Sequence, residues 1–326
     1  MRSRQRFLIG VTAALATVLG GAGVAQANVT LATGLPAGVK VSMSQRGTTI
    51  AWSAPTGTGR WKLILWRNGV TSDVPIATSN MPFDVDLGDD GHGHLLATYS
   101  RCSRVTIGLN RPRGCDPYRY DISAQRERRI TGLGGGGNSD YLPTASGGRI
   151  AFARSVSGGK ADLYVRGLTG GTLRRQPGGL MNDDSRTGPR RLDLGMRGLA
   201  IAWASIGPAP DYDYGAQEAR YDMLKGGHRL LARYTQGNVS GTNVAGVTAI
   251  DAGGGVLWGA QGNGEDQRSR LYWIPVELQS SDSQYLDLPV IDSSGTSFAD
   301  AVILTCPLFG ETPNVCSVVR LEPSPL

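Results

Sequence analysis

Histidine is almost missing from this sequence, and cysteine and phenylalanine are scarce: three His, four Cys and five Phe in 326 residues. His92, His94 and His228 all fall on predicted turns or strand edges, which leaves a buried Ser-His-acid triad without a base. No Gly-x-Ser-x-Gly elbow occurs, so the nucleophile of an α/β-hydrolase is excluded. A Cys-x-x-Cys redox spacing is absent too. Helical periodicity is not sustained anywhere after residue 27, and no later run is apolar and long enough to cross a bilayer. Charge is sparse at 18% of residues, no linker divides residues 28–326, and no chain is left over for a second, catalytic α/β domain.

What is present begins at the N-terminus. Arg2, Arg4 and Arg6 precede an apolar stretch from Phe7 to Val24 that ends in Ala25-Gln26-Ala27, the basic, apolar and small-residue order of a cleavable signal peptide. Gly10, Thr12, Thr17 and Gly20-Gly21-Ala22-Gly23 interrupt that stretch, which argues against a retained anchor. The expectation is a signal peptide at 1–27 and one exported domain at 28–326, secreted or held in the cell envelope. The signal segment holds three of the 33 basic residues and no acid, so the formal +6 falls to about +3 without it. A nucleic-acid partner is not expected from that balance. The 47 glycines suit many short strands joined by tight turns.

Those strands repeat. Ile50-Ala51-Trp52, Ala97-Thr98-Tyr99, Ile150-Ala151-Phe152, Ile201-Ala202-Trp203, Val256-Leu257-Trp258 and Val302-Ile303-Leu304 each follow a Gly-containing turn. Their third residues are 47, 53, 51, 55 and 46 positions apart, the period of propeller blades. Bulky third and small middle residues would face opposite ways and let neighbouring blades pack without voids. A further strand follows each, at Leu63 to Trp66, Tyr118 to Ile122, Leu163 to Arg166, Ala219 to Met223, Leu271 to Ile274 and Ser317 to Leu321. A polar outer strand comes next in several units, as at Arg128 to Thr131. Only Glu322 to Leu326 remains in the last unit, with two prolines, which predicts that residues 28–35 supply its fourth strand. The fold expected is an all-β, six-bladed β-propeller of four-stranded antiparallel blades, its ring closed by the mature N-terminal strand.

The stretch from Ser139 to Arg175, with Gly147-Gly148-Arg149-Ile150-Ala151-Phe152 and then Asp162-Leu163-Tyr164-Val165, resembles the TolB-like propellers. Only Asp90-Gly91 approaches the Ser-Pro-Asp-Gly turn usual in those repeats, and there is no separate N-terminal α/β domain. The resemblance implies a propeller that binds other molecules.

Four cysteines in an exported chain point to disulfides. Cys102 and Cys115 flank the loop between the second and third strands of blade two, and Cys306 and Cys316 flank the same loop of blade six, which predicts those two pairs. Asp86, Asp193, Asp251 and Asp292 recur just before turn glycines at the predicted end of the first strand of a blade. They either hold their turns through backbone amides or line the central channel as a ring able to hold Ca²⁺. Asp84, Asp86, Asp89, Asp90, His92 and His94 form the densest polar cluster, readable as a solvated turn or as a Zn²⁺ or Ni²⁺ site. The arginine pairs Arg128-Arg129, Arg174-Arg175 and Arg190-Arg191 protect strand edges or bind an acidic polymer.

The longest loop between second and third strands, Ser205 to Glu218, carries Asp211-Tyr212-Asp213-Tyr214. Aromatic rings alternating with carboxylates on a loop suit a protein or glycan partner. The sequence therefore predicts a monomeric, non-enzymatic scaffold binding a protein or envelope polysaccharide through Asp211, Tyr212, Asp213 and Tyr214. The alternative is a secreted hydrolase or lyase using channel carboxylates, with a divalent cation.

Overall fold

The computed structural model describes residues 28–36, 41–106, 111–135, 137–176, 181–182, 189–195, 198–206, 215–223, 227–235, 247–249, 256–261, 269–274, 282–286, 292–295, 301–305 and 315–321. Side chains are described for residues 28–36, 41–103, 113–135, 137–176, 192–195, 294–295, 301–305 and 315–321.

Among the described residues, the strands form six antiparallel sheets in chain order. Strand β1 (Val29–Pro36) comes first. Blade one is β2 (Met43–Arg46), β3 (Thr49–Pro55), β4 (Trp61–Arg67) and β5 (Val70–Asp73). Blade two is β6 (Asp86–Asp89), β7 (Leu95–Thr106), β8 (Arg111–Asp121) and β9 (Arg126–Arg129). Blade three is β10 (Asp140–Ser146), β11 (Arg149–Val156), β12 (Lys160–Gly167) and β13 (Gly170–Arg175), with the short β14 (Met181–Asn182) also on β12. Blade four is β15 (Pro189–Leu194), β16 (Gly198–Ile206), β17 (Gly215–Met223) and β18 (Gly227–Thr235). Blade five is β19 (Val247–Ala249), β20 (Val256–Gln261), β21 (Ser269–Ile274) and β22 (Asp282–Leu286). The last sheet is β23 (Asp292–Gly295), β24 (Ala301–Thr305) and β25 (Val315–Arg320), with β1 hydrogen-bonded to β25 as its outermost strand. The first strand of each sheet contacts the first strand of the next, and β23 contacts β2. The chain is a β-propeller.

Packing between blades follows the alternation of the second strands. Trp52 and Ile50 turn toward the last sheet, in a cluster with Leu304, Val318 and Leu35. Ala51 turns the other way, toward Phe83, Val85 and Tyr99 of the next blade. Phe152 and Ile150 likewise pack back on Leu96, Ile130 and Leu133 of blade two, while Ala151 and Ala153 face Leu192 and Leu194 of blade four. The small Ala51 thus faces the rings of Phe83 and Tyr99, while the bulky Trp52 and Phe152 pack on aliphatic side chains of the preceding sheet.

Near the axis, hydroxyls link the inner strands. Ser294 Oγ accepts from the Gln45 amide, Ser44 Oγ from Leu87 and Thr144 Oγ1 from Leu194, at 2.8–2.9 Å. Between blades two and three the backbones meet directly, and a Cβ at Gly88 would lie 1.7 Å from the Ala145 carbonyl oxygen.

Two local readings are corrected. The outer strand of blade two is Arg126–Arg129 rather than Arg128 to Thr131. Asp121 Oδ1 accepts from the amides of Ser123 and Ala124, closing a tight turn that lets the strand start two residues sooner. The recurrent aspartates do not share a position before a turn. Asp86 and Asp292 begin β6 and β23, whereas Asp193 is the fifth residue of β15. They pair with Thr98, Leu304 and Ala200, at different places along the second strand of each blade, so these three do not stand at one level of the axis.

Candidate functional site

A propeller has two faces, and connections between first and second strands lie on the one opposite the loops between second and third strands. On the first face, the acidic cluster of blade two is shared out among structural tasks. Asp89 Oδ2 takes Arg46 Nη2 of blade one at 2.7 Å, and its Oδ1 accepts from the Gly147 amide of blade three at 2.9 Å. Asp90 Oδ1 accepts from the amides of His92 and His94, and its Oδ2 meets the His94 ring at 2.8 Å. Asp84 points into the blade, accepting from the Ser100 amide and hydroxyl and from the Leu142 amide of blade three. Buried Asp86 accepts from Ser44 Oγ at 2.9 Å. The residues contiguous in sequence thus part in space, and no three His, Cys, Asp or Glu among the described residues are grouped to hold a metal ion. The small cavity beside Asp84 and Asp86, lined also by Leu142 and Leu192, has a volume of about 10 Å³.

The opposite face carries a larger opening. Between blades two and three, a cleft of about 660 Å³ is bounded by the β7–β8 hairpin, by the connection running from β9 to β10, and by the end of β11. The hairpin contributes Ser103, Arg113 and Asp116, the connection Asn138 and Ser139, and β11 with its following turn Arg154, Ser155 and Ser157.

Each wall is held by identifiable bonds. Cys102 and Cys115 face each other in the hairpin register and are joined by a disulfide. Cys316 is also disulfide-bonded, whereas Cys306 lies outside the described residues. Arg113 Nη1 donates to Ser155 Oγ at 2.7 Å, linking the two blades across the floor. Asp140, wholly buried, binds Arg154 through both oxygens at 2.6 and 2.7 Å and accepts from the Gly134 amide at 2.7 Å. The Arg154 guanidinium lies over the Phe152 and Tyr164 rings, 5.4 and 5.1 Å from their centroids. Asp140 holds Arg154 more firmly protonated, against the opposing pull of burial. Gly134 permits this closeness: at φ +63°, its Cβ would stand 2.0 Å from Asp116 Oδ1 and 2.8 Å from the Cys115 carbonyl.

Blade two repeats the device on its other side. Arg101 binds Glu127 Oε1 at 2.8 Å through Nε and 2.6 Å through Nη2, and sits over Phe83, Tyr99 and Tyr118. Tyr99 donates to the same Glu127 oxygen at 2.6 Å, and burial followed by that carboxylate pushes its phenol far up. An arginine two residues after the bulky third residue is the shared feature, in Tyr99-Ser100-Arg101 and Phe152-Ala153-Arg154.

Of the residues singled out by sequence, Asp211, Tyr212, Asp213 and Tyr214 lie outside the described residues, as does Asp251. The side chains of Asp292 and His228 do too. Arg128-Arg129 and Arg174-Arg175 stand on outer strands, Arg129 bound to Asp116 and Arg175 to Asp162. The cleft was not anticipated, although the glycines before β10 were its visible sign: Gly134 lets the connection lie close against Cys115 and Asp116.

The sheets and their inter-blade packing define a β-propeller. No protein-family model matches the sequence, and no curated protein does. Among solved structures the chain is similar to the GH93 α-L-arabinofuranosidase of Fusarium graminearum, with 11% identity over 87% of this chain and 92% of that one and a TM-score of 0.54. It is also similar to AofleA from Arthrobotrys oligospora, with 11% identity over 90% and 86% and a TM-score of 0.50. TolB from Acinetobacter baumannii is a third, with 14% identity over 74% of this chain and a TM-score of 0.44, and the chain spans about half, 52%, of that protein. At these identities the likeness is one of fold.

Proposed function

We propose that this protein is an exported, non-enzymatic, monomeric propeller that binds a protein or a glycan through the face where the loops between second and third strands lie. The observation that carries the reading is the 660 Å³ cleft on that face, walled by a disulfide-tied hairpin and by a buried Asp140–Arg154 pair. Rigid walls around an open, polar recess favour recognition, because little order has to be gained when a partner arrives. Export is supported by the disulfide, which persists in oxidising compartments, and by the signal-peptide pattern of residues 1–27. No helix among the described residues is long and apolar enough to cross a membrane.

Hydrolysis by axial carboxylates gains no support from the described residues. Asp84 and Asp86 hold amides and hydroxyls, and the cavity beside them is far below the ~300 Å³ of the smallest ligand sites.

The test places a photo-crosslinking residue at Ser157, on the cleft face, or at His92, on the opposite face, of the oxidised protein in its own cell envelope. The reading expects a reproducible protein or glycan adduct from Ser157 and none from His92. Equal adducts from both positions, or none from Ser157, would count against it.

A further inference from the structure

We infer that the cleft between blades two and three is a site for an uncharged glycan, recognised through hydroxyls and a side-chain amide rather than through ion pairs. The inference rests on the reading of this face as the binding face and names what it binds.

Three observations carry it. The first is the lining. Ser103, Ser155, Ser157 and Asn138 present hydroxyls and an amide, and Val156 is the one branched apolar side chain among the lining residues. A recess of about 660 Å³ falls within the ~300–1,000 Å³ of small-ligand sites, but those are mostly lined by apolar and aromatic groups. A lining of this kind is poorly matched to an apolar ligand or to the apolar anchors of a peptide. It can satisfy a ligand that is itself rich in donors and acceptors, since each polar group desolvated on binding must find a partner.

The second is that the charged groups of the walls are already engaged within the protein. Asp116 is bound to Arg129 at 2.6 Å, and Arg154 to both oxygens of Asp140 at 2.6 and 2.7 Å. Arg113 Nη1 donates to Ser155 Oγ at 2.7 Å. A carboxylate or an ammonium entering the cleft would have to give up water and displace one of these bonds, and a charge desolvated without a partner costs far more than a neutral polar group. An uncharged ligand leaves all of them in place.

The third is the kind of hydrogen bonding that remains. Ser103 Oγ donates to the Arg113 carbonyl at 3.2 Å, which leaves that oxygen as an acceptor. Ser155 Oγ accepts from Arg113, which leaves its hydrogen to donate. Asn138 and Ser157 are exposed, and among the described residues neither side chain holds a hydrogen bond, so each offers both roles. A carboxylate only accepts and an ammonium only donates, so either would leave part of this set unmet. A sugar hydroxyl does both, and a chain of them suits a recess that mixes acceptors with donors.

The test presents the oxidised protein with an array of neutral oligosaccharides built from hexose, deoxyhexose, pentose and N-acetylhexosamine units, with uronic-acid oligosaccharides and with a hexaserine peptide. The neutral member that binds best is then titrated calorimetrically into the protein and into Asn138→Ala, Ser157→Ala and, on the opposite face, His92→Ala. The expected result is binding of neutral members in preference to the uronic acids and the peptide. Asn138→Ala and Ser157→Ala should each weaken it about three- to tenfold, the worth of one neutral hydrogen bond, and His92→Ala should leave it unchanged. Affinity should also hold as salt is added, because no ion pair forms. Binding of no neutral member, tighter binding of a uronic acid or of the peptide, affinity that falls steeply with salt, or Asn138→Ala and Ser157→Ala proteins that melt normally and bind unchanged would overturn it. If no neutral glycan binds while Ser157 still crosslinks to a partner, this inference fails and the face remains the binding face. Loss of both would bring down the broader reading.

Discussion

Single residues in this protein divide by how far their charge has been taken from water. Asp140 is fully buried and its partner Arg154 is largely so, whereas Lys62 and Asp73 form a pair at 2.9 Å in the open. Removing one member of a buried pair strands the other, so Asp140→Asn is expected to cost about 3 kcal/mol in urea unfolding. Asp73→Asn is expected to cost under about 1 kcal/mol. Similar losses from both would mean that the buried pair is not a wall of the cleft but an ordinary surface contact. The His94–Asp90 contact gives a pH signature instead. Asp90 raises the His94 pKa above its ordinary 6.5, first through the side-chain hydrogen bond and then through charge. Burial pushes Asp90 up, but the amides of His92 and His94 together with the His94 ring bring it below 3.8. The His94 contribution to stability is therefore complete below pH 6.5 and is lost as pH rises through the raised value. The Asp90 contribution is present above pH 3.8 and lost as pH falls through the lowered one. An NMR titration should find the His94 midpoint above 6.5 and returning toward it in Asp90→Asn, and an unchanged midpoint would contradict the contact.

Strands and hairpins are where the sequence was most readable. Ile50-Ala51-Trp52 and Ile150-Ala151-Phe152 announce their strand and facing because alternation along a strand sends the ring to one blade interface and the alanine to the other. The inner strands hid their register. Asp86, Asp193 and Asp292 look alike beside their glycines, yet the inner strands are tied by amides of Leu87, Leu194 and Gln45 donating to Ser44, Thr144 and Ser294 of neighbouring blades, which no local pattern records. The cleft left only the glycines before β10 as a sign, since Ser103, Asn138 and Ser157 meet only after two blades have packed. One element-level prediction follows from the hairpin. Replacing Cys102 and Cys115 by serine opens a loop of sequence separation 13 and should cost about 3 kcal/mol in chemical unfolding. It should also loosen the adjoining ladder, where Arg104 stands opposite Arg113 in register, so that amides of β7 and β8 near the cleft exchange faster. Unchanged stability and exchange would show that the ladder alone holds the hairpin.

The whole molecule depends on a contact between the ends of its described chain. β1 pairs with β25 from Val29 opposite Arg320 to Pro36 opposite Val315, and Leu35 is buried among Trp52, Val318 and Cys316. A chain lacking residues 28–36 should lose at least about 2 kcal/mol, the worth of burying Leu35 alone. It should also associate with rising concentration through the exposed edge of β25, as checked by melting and size-exclusion chromatography. A monomer of normal stability would show that β1 adds nothing to the ring. On this β-propeller frame, the proposed function lies on one face. The most direct test is amide hydrogen exchange of the oxidised protein with and without the partner captured through Ser157. The account predicts new protection in the β7–β8 hairpin, at 134–139 and at 155–159. Protection confined to the turns of the other face, at 47–48, 90–94 and 147–148, would contradict it.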